Sequence, residues 1–401
     1  MTIRYHRLNI GLKKMDIKKN ENFEYKKFNS FNEIKLKEIS IKEENALKRI
    51  KELRENLINL QLDNYKKKII LRLIDDIFGK TEDRIQFKLT PNVISEIVRT
   101  TDQELPRYLF HRYRYEIFPQ TKEIDNYPPY LQIEPSSICN YRCVFCFETD
   151  KTFTNKKNGF MGRMSLDLFK KIVDQAENNI DFISLASRGE PLSNPDVIEM
   201  LKYSNGKFLN LKINTNASLL DEKKIHAILS YGVGTVVFSA DAADEKLYAK
   251  LRVNGNLNKV LKNVEKFNEI KSKQYPDSRI ISRVSGVKVN EDQKINDMFD
   301  LWGNLVDQVA FVNYVPWENV YQSPENKISE PCSDLWRRFF IWWDGKVNPC
   351  DVDYKSSLSR DNINNLNISE SWNGNNYSTL RLKHIDKERS QLSPCSSCSV
   401  T

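Results

Sequence analysis

The 401-residue chain contains no run approaching the ~18 consecutive apolar residues that a membrane-spanning helix needs. No apolar stretch follows the charges of Met1–Arg7, so no secretory signal is expected and the expected location is cytoplasmic. Histidine is scarce: the four residues lie at 6, 111, 226 and 384, none at an expected strand end, and none is assigned a role. The net charge of +8 is concentrated in residues 1–130, which carry a balance of +7. Tracts such as Lys66-Lys67-Lys68 are short and lack interleaved aromatics. They read as a solvated surface, and no nucleic-acid partner is expected. The cysteines number seven, and an odd number in a chain with no expected export signal argues against a disulfide framework. Their grouping points to metal instead. Three stand as Cys139-x3-Cys143-x2-Cys146, and four lie in the last seventy residues, at 332, 350, 395 and 398.

Residues 41–78 show helical spacing through Ala46, Leu47, Ile50, Leu53, Leu57 and Leu60, with Gly79 as an expected C-cap. A second helix is expected from Thr90-Pro91, and Pro128-Pro129 marks a boundary. From 130 to about 315 the pattern changes. Strands are expected at Tyr130–Glu134, Phe182–Ala186, Leu209–Asn214, Thr235–Ser239, Ile280–Val287 and Gln308–Asn313. Helices are expected between them, near 165–178, 194–204, 221–230, 244–272 and 292–303. Six β/α units imply a parallel sheet that is too short to close an eight-stranded barrel, with functional groups at the C-terminal strand ends. Beyond about 325 the chain is irregular and needs a staple, which four cysteines can supply.

Cys139, Cys143 and Cys146 directly follow the first expected strand. Three thiolates do not complete a structural zinc site, which takes four ligands. They can hold three irons of a cubane and leave one open. The spacing, with Phe145 before the last cysteine and a six-unit β/α region behind it, resembles the radical S-adenosylmethionine (SAM) superfamily. The resemblance covers roughly 128–320. It implies that the open iron chelates SAM, and that an electron from the cluster splits SAM to a 5′-deoxyadenosyl radical that takes hydrogen from a substrate. Ser187-Arg188-Gly189-Glu190-Pro191 is similar to the family's Gly-Gly-Glu segment, with Arg188 in place of the first glycine. The resemblance further implies SAM contacts from Phe145, Gly189 and Glu190, and from Asn214, Asn216, Ser239 and Asp241 at the next two strand ends. Arg252 resembles the arginine that pairs with the SAM carboxylate, a task that suits a forked guanidinium.

By spacing alone, Cys332, Cys350, Cys395 and Cys398 fit either a zinc ribbon or a fully ligated iron–sulfur cluster. A cysteine, then a hairpin with Asp344-Gly345 at its turn, then a second cysteine resembles the SPASM/twitch extension. With four cysteines it is similar to the shortened form with one auxiliary [4Fe-4S] cluster. The aromatics of Phe339–Trp343 are expected to pack that cluster's apolar shell.

The resulting expectation is a partial (β/α)6 radical SAM barrel at 128–322. It carries a mainly helical N-terminal extension at 1–127 and an irregular twitch/SPASM-like iron–sulfur domain at 323–401. An auxiliary cluster can take the electron left when a substrate radical loses a proton, so the expected net reaction is a two-electron oxidation. The expected substrate is a small polyol, amino sugar or nucleotide-linked sugar. The alternatives are a peptide or protein side chain and a redox-neutral epimerisation; no eighth cysteine is present to donate hydrogen for the latter. The electron donor implied is a reductase such as flavodoxin or ferredoxin. Candidate catalytic groups are Arg283, facing the barrel, and Asp351 and Asp353 beside Cys350.

Overall fold

A computed structural model describes Tyr25 and residues 31–36, 40–82 and 84–401. Nine strands form one sheet. In chain order they are β1 (Phe31–Leu36), β2 (Tyr130–Ile133), β3 (Phe182–Leu185), β4 (Asn210–Thr215), β5 (Val233–Ser239), β6 (Ile281–Lys288), β7 (Gln308–Asn313), β8 (Arg338–Ile341) and β9 (Val347–Asn348). The order across the sheet is β1-β7-β6-β5-β4-β3-β2-β8-β9. Strands β2 to β7 are the six expected from sequence, all parallel. Their buried runs of Val, Ile, Leu and Phe are what a sheet covered on both faces requires.

Two edges extend this sheet. β1 pairs antiparallel with β7, so the N-terminal extension contributes a strand as well as helices. β8 pairs parallel with β2, Arg338 facing Tyr130 and Ile341 facing Ile133. The hairpin after Cys332 therefore continues the barrel wall. Its turn is Trp342–Gly345, closed by Gly345 N donating to Trp342 O at 2.9 Å. Gly345 has φ +83°, a left-handed conformation that favours glycine.

The expected helix over 41–78 divides into Ser40–Asn56, a single turn at Leu57–Asn59, and Asn64–Ile77. Asp63 caps the last of these, accepting from Lys66 N at 2.8 Å. Gly79 follows it at φ +66°, as its place in the sequence implied. The expected helix over 244–272 also divides, into Glu245–Leu251 and Leu257–Gln274. Asn254 is left-handed at φ +71°, and the Asn256 side chain caps the second piece by accepting from Lys259 N at 2.7 Å. Arg252 and Val253, freed from the helix, pair antiparallel with Cys143 and Arg142. That break brings Arg252 to the cysteine loop.

Ile50, Ile70, Leu73, Ile97 and Leu109 of the N-terminal helices form their own buried core, which also takes in Tyr130 and Phe182 at the start of β2 and β3. Each such side chain contributes on the order of 2 kcal/mol when removed from water. The helices are thereby fixed across the N-terminal strand ends and form the floor of the barrel. Thr90 caps Pro91–Arg99, and Asn92 and Glu96, one turn apart, share its inner face.

Candidate active site

One cavity of about 600 Å³ runs through the barrel. At its upper rim stand Cys139, Cys143 and Cys146 with Gly189, Asn214, Asn216, Ser239 and Arg252. At its floor are Asn92, Glu96, Arg112 and Tyr115 of the N-terminal helices.

The cysteine loop is clamped from two sides. On one, Glu190 N donates to Ile138 O at 3.1 Å, Ser193 Oγ donates to the same oxygen at 3.0 Å, and Asn194 Nδ2 donates to Pro135 O at 2.7 Å. Gly189 lies so close to this loop that a Cβ there would sit 2.5 Å from Ser136 O. Ser187, two residues earlier, holds φ +133°, a strained conformation of the kind stored at functional sites. On the other side, Val144 N donates to Leu251 O at 3.0 Å. Arg252 Nη1 then lies 3.9 Å from Cys143 Sγ, and Asn216 Nδ2 lies 3.9 Å from Cys139 Sγ.

The carboxylate of Glu190 is occupied within the protein. It accepts from Thr215 Oγ1 and Asn216 N, both at 2.7 Å, and from Leu192 N at 3.1 Å. It ties the Gly189 turn to the end of β4, which leaves the turn's backbone to face the cavity. Asp241 likewise acts through a neighbour. It is fully buried, lies 2.5 Å from Arg252 Nε, and accepts from Val287 N at 2.7 Å. It therefore aims the guanidinium; it does not line the cavity. Asn214 and Ser239 do line it, as does Phe145, whose ring lies 5.8 Å from the Arg252 guanidinium.

Arg188, the departure from the glycine pattern, makes a buried bidentate pair with Glu134. Nε and Nη2 donate at 2.7 and 2.6 Å, while Nη1 donates to Tyr354 O at 2.9 Å. The guanidinium also stacks on Trp342 at 4.4 Å. One side chain thus joins the SAM-like motif to the hairpin and to the segment after Cys350.

Of the other candidates, Arg283 donates to Gln308 Oε1 at 2.7 Å and Asn92 Oδ1 at 3.1 Å, inside the cavity. Asp351 also lines it, accepting from Gln132 Nε2 at 2.7 Å and Ser187 Oγ at 3.2 Å. Asp353 is a correction. It is fully buried outside the cavity and saturated by Tyr321 OH, Ser357 N and Oγ, and Leu358 N, so it shapes a turn. Sequence reasoning missed Lys212 and Arg338, both in the cavity wall. The signal for Lys212 was present: Asn210, Lys212 and Asn214 alternate with Leu211 and Ile213, a polar inner face on a core strand.

The seven thiols stand as a group of three and a group of four. Burial is the largest effect on Cys139 and Cys143, pushing them up to about 12 and about 11. Cys350 is raised by burial and then by the nearby Cys395, Cys332 and Cys398, so the four distant cysteines converge on one place. Among the described residues no three His, Cys, Asp or Glu side chains are drawn in around a single-ion position. Grouped, buried thiolates need positive charge between them, which iron–sulfur clusters supply.

The sequence model of the Radical SAM superfamily matches residues 133–301, and that of the SPASM iron-sulfur cluster-binding domain matches 332–399. The chain belongs to the radical SAM superfamily. As a radical SAM enzyme with a SPASM domain it uses SAM and a [4Fe-4S] cluster, with auxiliary iron–sulfur in its C-terminal region. It is 27% identical over 216 residues to GTP 3′,8-cyclase of Clostridium botulinum (strain Okra / Type B1), 51% of this chain and 64% of that protein. The match thus spans less than two thirds of that relative's length. A shorter stretch of 114 residues is 33% identical to the tungsten-containing aldehyde ferredoxin oxidoreductase cofactor-modifying protein of Pyrococcus furiosus, 28% of this chain and 30% of that one. Streptococcus suis SuiB bound to precursor peptide SuiA superposes with a TM-score of 0.51 at 16% identity, covering 85% of this chain and 87% of that chain. SuiB bound to S-adenosylmethionine gives 0.52 at 16% identity, covering 84% and 87%. At that identity the likeness is one of fold. No described helix is long and apolar enough to cross a membrane.

Proposed function

We propose that this radical SAM enzyme oxidises a small, polar, hydroxyl- or amine-bearing molecule held inside the barrel. In this reading Cys139, Cys143 and Cys146 hold the cluster that binds SAM, and Cys332, Cys350, Cys395 and Cys398 hold one auxiliary [4Fe-4S] cluster. When bound, SAM and the first cluster supply a hydrogen-abstracting radical, and the auxiliary cluster supplies an acceptor for one electron. The Gly189 turn, Asn214, Ser239 and Arg252 orient SAM above the cavity. Asp351 takes the proton from the hydroxyl or amine on the radical carbon as that carbon becomes a carbonyl or imine, because its carboxylate lies in the cavity one residue from Cys350. The hydrogen atom, the proton and the electron then each have a destination.

The observation that carries this reading is the cavity itself. Polar side chains project from its mixed wall, among them Gln132, Lys212, Asn214, Thr235, Arg283 and Ser285, and its floor carries Asn92, Glu96 and Tyr115. A volume of about 600 Å³ takes a small molecule whole. A second reading, a peptide side chain inserted from above, draws on the SuiB likeness, which extends over 85% of the chain. A rearrangement of a nucleotide draws on the GTP 3′,8-cyclase relatives.

The test uses reconstituted holoenzyme with SAM and reduced flavodoxin or ferredoxin as electron donor. A deuterated pool of amino, phospho and nucleotide-linked sugars runs in parallel with a deuterated peptide pool. Deuterium in 5′-deoxyadenosine from the first pool is expected; label from the peptide pool alone overturns the reading. Asp351→Asn should keep SAM cleavage and cut product by about 10²-fold, the scale of general-base catalysis.

A further inference from the structure

Deep in the cavity, below the ring of SAM-like motifs, three cations from three strands line one wall: Lys212 on β4, Arg283 on β6 and Arg338 on β8. Lys212 Nζ and the Arg338 guanidinium flank the same Tyr130 ring, at 5.5 and 5.3 Å from its centroid. Arg338 donates to Tyr115 OH from Nε at 3.1 Å and Nη2 at 2.8 Å, and stands 3.9 Å from Asp334. Two carboxylates share the cavity: Glu96 within electrostatic reach of Lys212 and Arg283, and Asp351 within reach of Arg338. Lys212 differs from the other cations of the cavity. Arg112 has Glu116, Arg188 has Glu134 and Arg252 has Asp241, but Lys212 Nζ makes no hydrogen bond or ion pair with any described residue.

Lys212 is half-buried in the cavity wall, and an ammonium partly removed from water without a protein partner carries a desolvation cost that two guanidiniums nearby increase. Folding alone gives no reason to retain it, since a Met or Gln would fill the same wall. The cost is recovered when an anion enters, because an oxyanion accepts from the ammonium and lies in the field of both guanidiniums. The three side chains converge from separate strands of a rigid sheet, so they are held ready for a ligand.

We propose that Lys212, Arg338 and Arg283 form an anion subsite at the base of the cavity that takes an oxyanion group of the substrate, a phosphate ester or a carboxylate. This rests on the reading of the cavity as the substrate site. It narrows the substrate to an acidic molecule whose charged end points down toward β4 and β8 and whose reacting carbon points up toward Cys143 and Asp351.

The test is equilibrium binding, so it does not depend on which reaction follows. Inorganic phosphate, pyrophosphate and malonate are titrated calorimetrically into SAM-loaded holoenzyme and into its Lys212→Gln, Lys212→Arg and Arg338→Gln variants. One class of anion is expected to bind, weakened about tenfold to a hundredfold in Lys212→Gln, the loss of one charge-assisted contact. Lys212→Arg is expected to retain most of the affinity. Preference for the phosphates over malonate, or the reverse, assigns the anion. Absence of binding by all three, or binding indifferent to Lys212→Gln, overturns the proposal. If Lys212→Gln no longer holds SAM, Arg338→Gln is judged by the same two outcomes. An anion that binds here beside a substrate that is never oxidised would leave the subsite standing and remove the oxidase reading alone.

Discussion

At the scale of single residues, the site depends on close approaches and on charge. Gly189 has no side chain because the carbonyl of Ser136 occupies the space where one would go. Gly189→Ala should push the cysteine loop outward, cost about 1–3 kcal/mol in stability, and lower SAM cleavage disproportionately. Urea unfolding and 5′-deoxyadenosine yield read the two effects separately. Lys212 gives a pH signature. Burial lowers its ammonium to about 8, helped by Arg338 and Arg283 and opposed by Tyr115 and Glu96. Tyr115 titrates in the same range. Burial alone would raise it, but Arg338 and Arg337 outweigh that and bring it down to about 8. As pH rises through that value, Lys212 loses its positive charge and Tyr115 gains a negative one. The first removes an attraction for an anion and the second adds a repulsion. Phosphate or malonate affinity should therefore hold below pH 8 and fall above it, by a larger factor than in Lys212→Arg.

At the scale of elements, the parallel strands were legible because each is a short apolar run between polar punctuation, and the hairpin was legible from Asp344-Gly345. The two broken helices were not, because apolar spacing at Leu57 and Leu60 continues past the real end, and only the Asp63 and Asn256 caps mark the restarts. The partner of β8 was also out of reach. Sequence shows a hairpin over Phe339–Pro349, but pairing of its first strand with β2, some two hundred residues earlier, is a property of the assembled sheet. The same assembly explains Arg188. Read as a departure from a glycine motif it is unexplained; in the fold it bonds Glu134 at the end of β2 and Tyr354 beyond the hairpin. Both partners of this ion pair are almost fully enclosed. Glu134→Ala leaves the guanidinium buried and unpaired and should cost about 3–5 kcal/mol, whereas the double change to Glu134→Leu with Arg188→Met should recover much of that. Chemical denaturation of the native chain, Glu134→Leu, Arg188→Met and the double variant measures the coupling.

At the scale of the whole molecule, three cores are joined differently. The N-terminal helices and the barrel meet through Tyr130 and Phe182 and need no metal to hold them. The third core is small: Tyr25, Phe147, Phe153, Val315, Val320, Val352, Tyr354, Cys398 and Val400, with Phe160, Trp317, Tyr321, Cys146, Cys332 and Cys350 at its margin. Its aromatic stack of Phe147 on Tyr354, 4.9 Å apart, lies between the first cysteine group and the second. Few apolar side chains and two groups of crowded thiols make this the part of the protein whose order depends most on iron. Anaerobic removal of iron should therefore raise amide exchange in residues 139–154 and 350–400 together, while β3 to β7 and the helices over 64–116 keep their protection. If the two regions respond separately, the shared core does not couple them, and the two cysteine groups are independent modules. Joint loss would mean that one apolar hinge sets the spacing between the two redox centres, so that a change at Tyr354 would disturb both at once.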